Sequence, residues 1–189
     1  NHSSAASDVY KRQEEVVVKG KVLQSDQVNA LKTPTPIINV PQSLTIVTDE
    51  EMLEKGMRSI GDIIRYTPGV NTSQGEGHRD AVVFRGVRST ADFFQDGARD
   101  DVQYYRSLYN VEQVEILRGP NALLFGRGGT GGALNRVTKK AMVGDDFRTV
   151  NLGMDSFGAF DVAADVNMDM GDTMACLLYT SDAADEWLR

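Results

Sequence analysis

The feature that most limits what this chain can fold into is a glycine run. Between Gly126 and Gly132, five of the seven residues are glycine, interrupted only by Arg127 and Thr130. Glycine at that density serves backbone that must adopt positive φ or come very close to another group. The run is flanked by an apolar, strand-like entry (Val114, Ile116, Leu117) and by Ala133 to Thr138, which also reads as a strand.

Two readings of the run compete on pattern. Gly126, Gly128 and Gly131 satisfy the GxGxxG spacing of a dinucleotide loop, which would make the chain a soluble nucleotide-binding α/β enzyme. That fingerprint requires a strand before the glycines and a helix after them, so that the helix N-terminus faces the pyrophosphate. The order here reads reversed, with a helical turn over Asn121 to Phe125 and a strand after Gly132. A Walker loop also fails, because no Lys-Ser/Thr pair closes the glycines. The other reading is a tight turn between two packed elements.

Length and charge narrow the class. The 189 residues allow one ordinary domain and part of a second. An apolar share of 41% suffices for a core. A net charge of −7 argues against a nucleic-acid partner, which selects for a basic face. One cysteine, Cys176, and two histidines, His2 and His78, offer neither an internal disulfide nor a zinc cluster. No run approaches ~18 consecutive apolar residues, and residues 1–13 lack the apolar centre of a signal peptide. A mature or truncated chain is therefore expected.

Residues 1–13 are polar and without pattern, and are expected to be a disordered or non-native tail. Asp8 to Gln13 and Leu177 to Glu186 both resemble translated adapter sequence at the ends of gene fragments. Glu14 to Gly20 (EEVVVKG) is a short extended segment, either a first strand or a strand offered to the open sheet edge of a partner. Val22 to Thr35 reads as linker, ending at the turn signals Pro34 and Pro36. Ser43 to Val47 is expected as a strand with Leu44 and Ile46 on one face. Thr48 with Glu51 reads as a capping box for a first short helix, with Met52 and Leu53 inward and Gly56 as its stop. Ser59 with Asp62 opens a second through Ile60, Ile63 and Ile64, stopped by Pro68-Gly69. Asn71 to Asp80 is a polar loop, of the kind that carries function or is simply solvated, with His78 and Arg79 as candidates for an anionic ligand.

Ala81 to Val87 (AVVFRGV) alternates as a strand that would place Arg85 in its middle, where a buried guanidinium must be paired. Phe93 to Arg99 reads as a hairpin turning at Asp96-Gly97. Asp100 to Tyr109 (DDVQYYRSLY) then gathers flat amphipathic rings, Tyr104, Tyr105 and Tyr109, beside the cationic forks of Arg99 and Arg106. Tyrosines half-buried at a domain rim would give that composition, and so would a cradle for an anionic aromatic ligand. Past Lys140 the period becomes two. Val150, Leu152 and Met154 alternate with Thr149, Asn151 and Gly153. Phe160, Val162, Ala164, Val166 and Met168 alternate with Asp161, Ala163, Asp165, Asn167 and Asp169. A half-buried soluble sheet does this, as does a barrel wall with lipid on one side and a wet lumen on the other.

Taken together, the valine-rich box, TDEEMLEKGMRSIGDIIRYTPGV, FRG, QDGARDDVQYYRSLYNVEQVEILRGP and FGRGGTGGALNRVTK resemble the plug domain of TonB-dependent outer-membrane siderophore receptors, nearest to those for ferric catecholates. This supplies a third reading of the glycine run, as a turn that lets a plug fold inside a barrel. The resemblance implies an α+β fold: a small mixed sheet with short helices, followed by the start of a transmembrane β-barrel. The implied organisation is a TonB-box-like segment and linker over residues 14–36, a plug over 37–141, a truncated first barrel hairpin over 145–175 and a non-native or disordered tail over 176–189. Two strands cannot close a barrel, so a fragment of a larger receptor is expected. By resemblance, Glu14, Glu15, Val16, Val17 and Val18 would bind TonB. His78, Arg79, Arg99, Tyr104, Tyr105 and Arg106 would contact a ferric siderophore. Arg85 and Arg118 would lock the plug to barrel glutamates. Iron would be cargo within its chelate, with no resident cofactor or metal and no catalytic residue. The implied location is the outer membrane of a Gram-negative cell. A soluble binding module without a barrel is the remaining rival.

Overall fold

The computed structural model describes residues 27–29, 35–73, 79–90, 92–102, 104–119, 131–154, 156, 158 and 160–183. The centre is a five-stranded mixed sheet. Its strands are β3 (Ser43–Thr48), β7 (Phe93–Gln95), β8 (Ala98–Arg99), β9 (Val111–Arg118) and β10 (Gly132–Thr138), in spatial order β3-β9-β10-β7-β8. All neighbours are antiparallel except β10 and β7, which run parallel.

Both faces of this sheet are covered along β9 and β10, which are buried over nearly their whole length, Gln113, Glu115, Asn135 and Arg136 included. Neighbouring side chains point to opposite faces. Ile116, Phe93 and Leu134 therefore enter one cluster, and their sequence neighbours Leu117, Phe94 and Ala133 enter the other. The first cluster is closed by helices α1 (Asp49–Glu54) and α2 (Ile60–Arg65), with Met52, Ile60, Ile63 and Ile64 inward. Ser59 and Asp62 form the expected reciprocal capping box on α2. On α1, Thr48 accepts from the Glu51 N–H, and Leu53 is 64% exposed. Leu53 does not face inward as predicted: one residue past Met52 it is rotated by about 100° around the helix, away from the core that Met52 enters.

The second cluster is closed from a region expected to be linker. β1 (Gln27–Val28) and β2 (Thr35–Pro36) pair antiparallel, and Val28 is fully buried against Phe94, Leu117 and Ala133. Part of the predicted linker is thus the lid on one face of the sheet.

A second, three-stranded sheet follows α2: β4 (Val70–Thr72), β5 (Val82–Phe84) and β6 (Val87–Ser89). The alternating strand predicted over Ala81 to Val87 is broken here. Arg85 has φ 48° and Gly86 φ 88°, and together they turn β5 into β6. Arg85 is therefore an exposed turn residue and not a buried strand residue.

The glycine run acts through close approach where it is described. A Cβ on Gly131 would lie 2.7 Å from the Phe84 Cβ, and one on Gly132 would lie 2.5 Å from the Leu117 carbonyl oxygen and 2.6 Å from the Phe84 ring. Gly126 to Thr130 lie outside the described residues. A strand, β10, starts at Gly132. The nucleotide-loop reading needs a helix there and falls.

The last three strands, β11 (Phe147–Met154), β12 (Phe160–Asp169) and β13 (Ala175–Ala183), form a separate antiparallel sheet. The first two are the predicted hairpin. The third lies where a non-native or disordered tail was expected over 176–189; residues 175–183 pair along β12, which overturns the disorder there.

Substituting Gly132→Ala should destabilise the purified chain by about 1–3 kcal/mol, the cost of overpacking against backbone that cannot yield. Urea unfolding measures it. An unchanged midpoint would mean that Phe84 and Leu117 can retreat from the glycine.

Candidate functional site

The candidate site is built around one carboxylate in the stretch that follows β8. Asp100 Oδ2 accepts from the Tyr104 hydroxyl at 2.7 Å, from Arg106 Nε at 3.1 Å and from Arg136 Nη2 at 2.6 Å. Arg136 Nη2 also reaches Gln95 Oε1 at 3.1 Å and the Tyr104 hydroxyl oxygen at 3.1 Å. Burial alone would raise the Asp100 carboxyl. The Tyr104 hydrogen bond and the charges and hydrogen bond of the two arginines outweigh it and hold the group below its ordinary 3.8.

Arg106 is the largest fully buried side chain among the described residues. Its guanidinium lies between two rings, 3.8 Å from the centroid of Phe93 and 4.4 Å from that of Tyr104. Its Nη1 donates to the Tyr104 carbonyl at 3.2 Å, and its Nη2 to the carbonyls of Asp100 and Val102 at 3.0 and 2.6 Å. Its backbone N–H donates to Asp80 Oδ2 at 2.9 Å, and the Asp80 N–H donates to the Tyr104 carbonyl at 3.3 Å. Burial pushes the Asp80 carboxyl above 3.8, against the opposing hydrogen bond from Arg106 and the charges of Arg106 and Arg136.

The predicted ligand residues separate accordingly. Tyr104 and Tyr105 are 39% and 46% exposed and sit together on the loop. Arg99 is exposed on β8, its guanidinium 5.6 Å from the Phe94 ring centroid. Arg79 is half-buried next to Asp80. His78 lies outside the described residues, as do Glu14, Glu15, Val16, Val17 and Val18. Arg106 is the correction: enclosed, with four of its five guanidinium N–H groups bonded within the chain, it has no surface to offer a ligand. A lone arginine beside tyrosines looks like a ligand fork in sequence, and only the fold reveals carbonyls at 100, 102 and 104 turned towards it.

Of the two predicted locking residues, Arg85 projects from its turn. Arg118 is half-buried and donates to the Pro68 carbonyl at 2.9 Å and Thr45 Oγ1 at 3.0 Å. Sequence reasoning passed over Glu115. It is fully buried on β9 and accepts from the Asn29 N–H at 2.6 Å, Gln113 at 2.8 Å and Asn135 at 2.9 Å. A carboxylate between Val114 and Ile116 in a buried strand was the available signal.

The terminal sheet carries its polarity reversed. Val150, Leu152 and Met154 are 64%, 76% and 77% exposed, whereas Asp165 and Asn167 on β12 are 8% and 1% exposed. The polar face packs on the rest of the chain. Lys139 Nζ donates to Asp165 Oδ2 at 2.6 Å, and Asn167 exchanges hydrogen bonds with the backbone of Met142 at 3.1 and 2.8 Å. Tyr179 of β13 meets Tyr109 edge-on at 6.0 Å. A soluble sheet would bury the valines and leucines.

A small two-faced sheet beside an inside-out wall is the build of a stopper in a membrane barrel. The family model described as the TonB-dependent Receptor Plug Domain matches residues 36–133, just over half of the chain, and the chain belongs to that family. It is 30% identical over 168 residues to the "Probable TonB-dependent receptor BfrD" of Bordetella pertussis, covering 86% of this chain and 22% of that protein. It is 27% identical over 156 residues to the "Catecholate siderophore receptor Fiu" of Escherichia coli K12, covering 78% of this chain and 20% of that one. The crystal structure of the open form of Fiu, described as a ferric-catecholate import receptor, superposes with a TM-score of 0.73 at 25% identity, over 82% of this chain and 23% of that one. The siderophore receptor PiuA of Acinetobacter baumannii gives 0.72 at 25% identity, over 82% and 23%. The chain therefore spans about a fifth of the length of the relatives it matches.

The raised Asp80 carboxyl sets a pH dependence with a definite sign. Its folded pKa exceeds the unfolded one, so its contribution to stability is fully present below 3.8 and is lost as pH rises through the folded value. The stability of Asp80→Asn relative to the parent chain should therefore shift in the variant's favour between pH 3 and pH 7, by roughly 1 kcal/mol for each unit by which the pKa is raised. Parallel urea titrations check it, and a difference that is flat or falls with pH contradicts it.

Proposed function

We propose that this chain is the plug and the first wall strands of an outer-membrane receptor that imports ferric siderophores, with catecholate chelates as the favoured class, using energy delivered through TonB. The observation that carries the reading is the inverted terminal sheet, apolar outward and polar against the plug. Only a solvent of hydrocarbon outside and a wet interior make that arrangement favourable. A transport receptor accounts for the rest without catalysis, since cargo passes with no bond made or broken. The names of the relatives support the siderophore class.

In this reading Tyr104 and Tyr105 lie flat against a planar aromatic chelate while Arg99, Arg79 and His78 answer its negative charge. Arg106 does not touch cargo. Iron enters as part of the substrate. Arg85 and Arg118 lock the plug to acidic groups of the barrel, and the exposure of Arg85 leaves it available for this. Residues 14–18 add as a strand to TonB in the periplasm, and a pull on that segment opens a path through the plug.

The deciding experiment is uptake of radioactive iron by the full-length gene product in a host deleted for its own receptors. Uptake should require TonB, and equal uptake with and without TonB would overturn the reading. Val17→Pro, which removes a donor and fixes φ, should abolish TonB binding while ferric siderophore still binds at the cell surface. On the wall, Leu152→Arg should lower the yield of assembled receptor, since a cation facing lipid costs about 2–4 kcal/mol near the bilayer centre. Normal assembly of that variant would place Leu152 away from the hydrocarbon.

A further inference from the structure

We propose that Arg106 is a positioning residue that gathers Asp80 and the stretch after β8, residues 100–102 and 104–106, into one arrangement and so fixes Tyr104, next to Tyr105, for the cargo it meets. The proposal rests on the siderophore reading for what that cargo is. Its structural half stands independently.

The described residues 100–102 and 104–106 lie in neither helix nor strand, so their backbone needs other partners. One side chain supplies three. The carbonyls of Asp100, Val102 and Tyr104, every second residue, all accept from the Arg106 guanidinium. These three carbonyls therefore converge on one arginine. The remaining Nε–H goes to the Asp100 carboxylate, which also takes the Tyr104 hydroxyl. The ring of Tyr104 is thus held at both ends, by its hydroxyl on Asp100 and by its face against the guanidinium.

The backbone that the guanidinium holds in place also reaches Asp80. Asp80 accepts from the Arg106 N–H and donates its own N–H to the Tyr104 carbonyl, a reciprocal pair of hydrogen bonds that ties Asp80 to residues 104 and 106. Arg136 on β10 anchors the assembly from below through Asp100 and Tyr104. Outside this knot, Val102, Tyr104 and Tyr105 are exposed. The buried arginine thus takes the place of an apolar core in a segment too polar to have one, and the aromatic surface above it is held in one arrangement. Lysine cannot substitute. It lacks the planar fork for three carbonyls and a carboxylate, and it does not stack between two rings in the same way.

The test uses the full-length receptor in outer membranes, with ferric 2,3-dihydroxybenzoate and ferrichrome as probes. Arg106→Lys and Asp80→Ala should weaken binding of the catecholate roughly ten- to a hundred-fold, as misplacement of a contact surface does. The maximal TonB-dependent uptake rate at saturating probe should be unchanged, which a general folding defect would not allow. Asp80→Asn, which keeps the acceptor, should bind like the parent. In parallel, spin labels at Ser73→Cys and Asp101→Cys in a Cys176→Ser background report the distance between those two positions without any ligand. A narrow distribution in the parent should broaden in Arg106→Lys.

Parent-like affinity and a narrow distribution in Arg106→Lys would overturn the proposal. Broadening with unchanged affinity would overturn its ligand half. If the parent receptor itself binds neither probe, the siderophore reading fails along with that half, while the spin labels still decide whether Arg106 holds the arrangement.

Discussion

Everything in the plug depends on how closely two sheets approach at Phe84. Its ring lies over Gly132 and its backbone over Gly131, at distances no side chain bearing a Cβ would permit. This contact docks the small sheet onto the centre of the large one and places Phe84 in the same cluster as Ile116, Leu134 and the helix residues Ile60 and Ile63. Glycine at these two positions is therefore a requirement of packing and not of turn geometry. A nucleotide loop would use its glycines to bring backbone near a phosphate. Here backbone is brought near an aromatic ring.

With that centre fixed, the opposite polarities of the two parts follow from what surrounds each. The plug keeps its apolar residues inside, because water surrounds it. The terminal sheet turns Val150, Leu152 and Met154 outward and keeps Asp165 and Asn167 against the plug. Bonded to Lys139 and to the Met142 backbone, these polar groups join wall and plug alongside the Tyr109–Tyr179 ring contact. An oily joint would be permanent. A polar one exchanges its hydrogen bonds with water at little net cost.

Local chemistry was legible in the sequence, and long-range chemistry was not. The Ser59–Asp62 cap, the Asp96-Gly97 turn and the period-two wall each depend on residues within about ten positions, and each lies where expected. The failures share a cause. Val28 looked like linker because the surface it covers belongs to Phe94, Leu117 and Ala133, far along the chain. Arg85 looked like a strand residue because FRG continues an alternation that Gly86 in fact ends. Arg106 looked like a ligand contact because composition cannot tell a guanidinium facing water from one facing three carbonyls. The aromatic loop could be located in advance, but not the carboxylate that organises it.

The buried charges show what such groups accomplish in this fold. Each joins segments that apolar pattern does not bring into register: Asp80 with the Arg106 backbone, Arg136 with Asp100, Asp165 with Lys139, and Glu115 with Asn29, 86 positions away. Apolar contacts are not directional and tolerate sliding. A fork of N–H groups or a carboxylate accepting several bonds accepts only one arrangement. Their net contribution to stability is small, yet removing one partner strands the other at a cost of about 3–5 kcal/mol. The free energy of the plug therefore resides in its phenylalanines, leucines and isoleucines. Its geometry at the loops, at the wall and at the N-terminal lid is set by a few enclosed charges, each at a joint where one part of the receptor must hold its place against another.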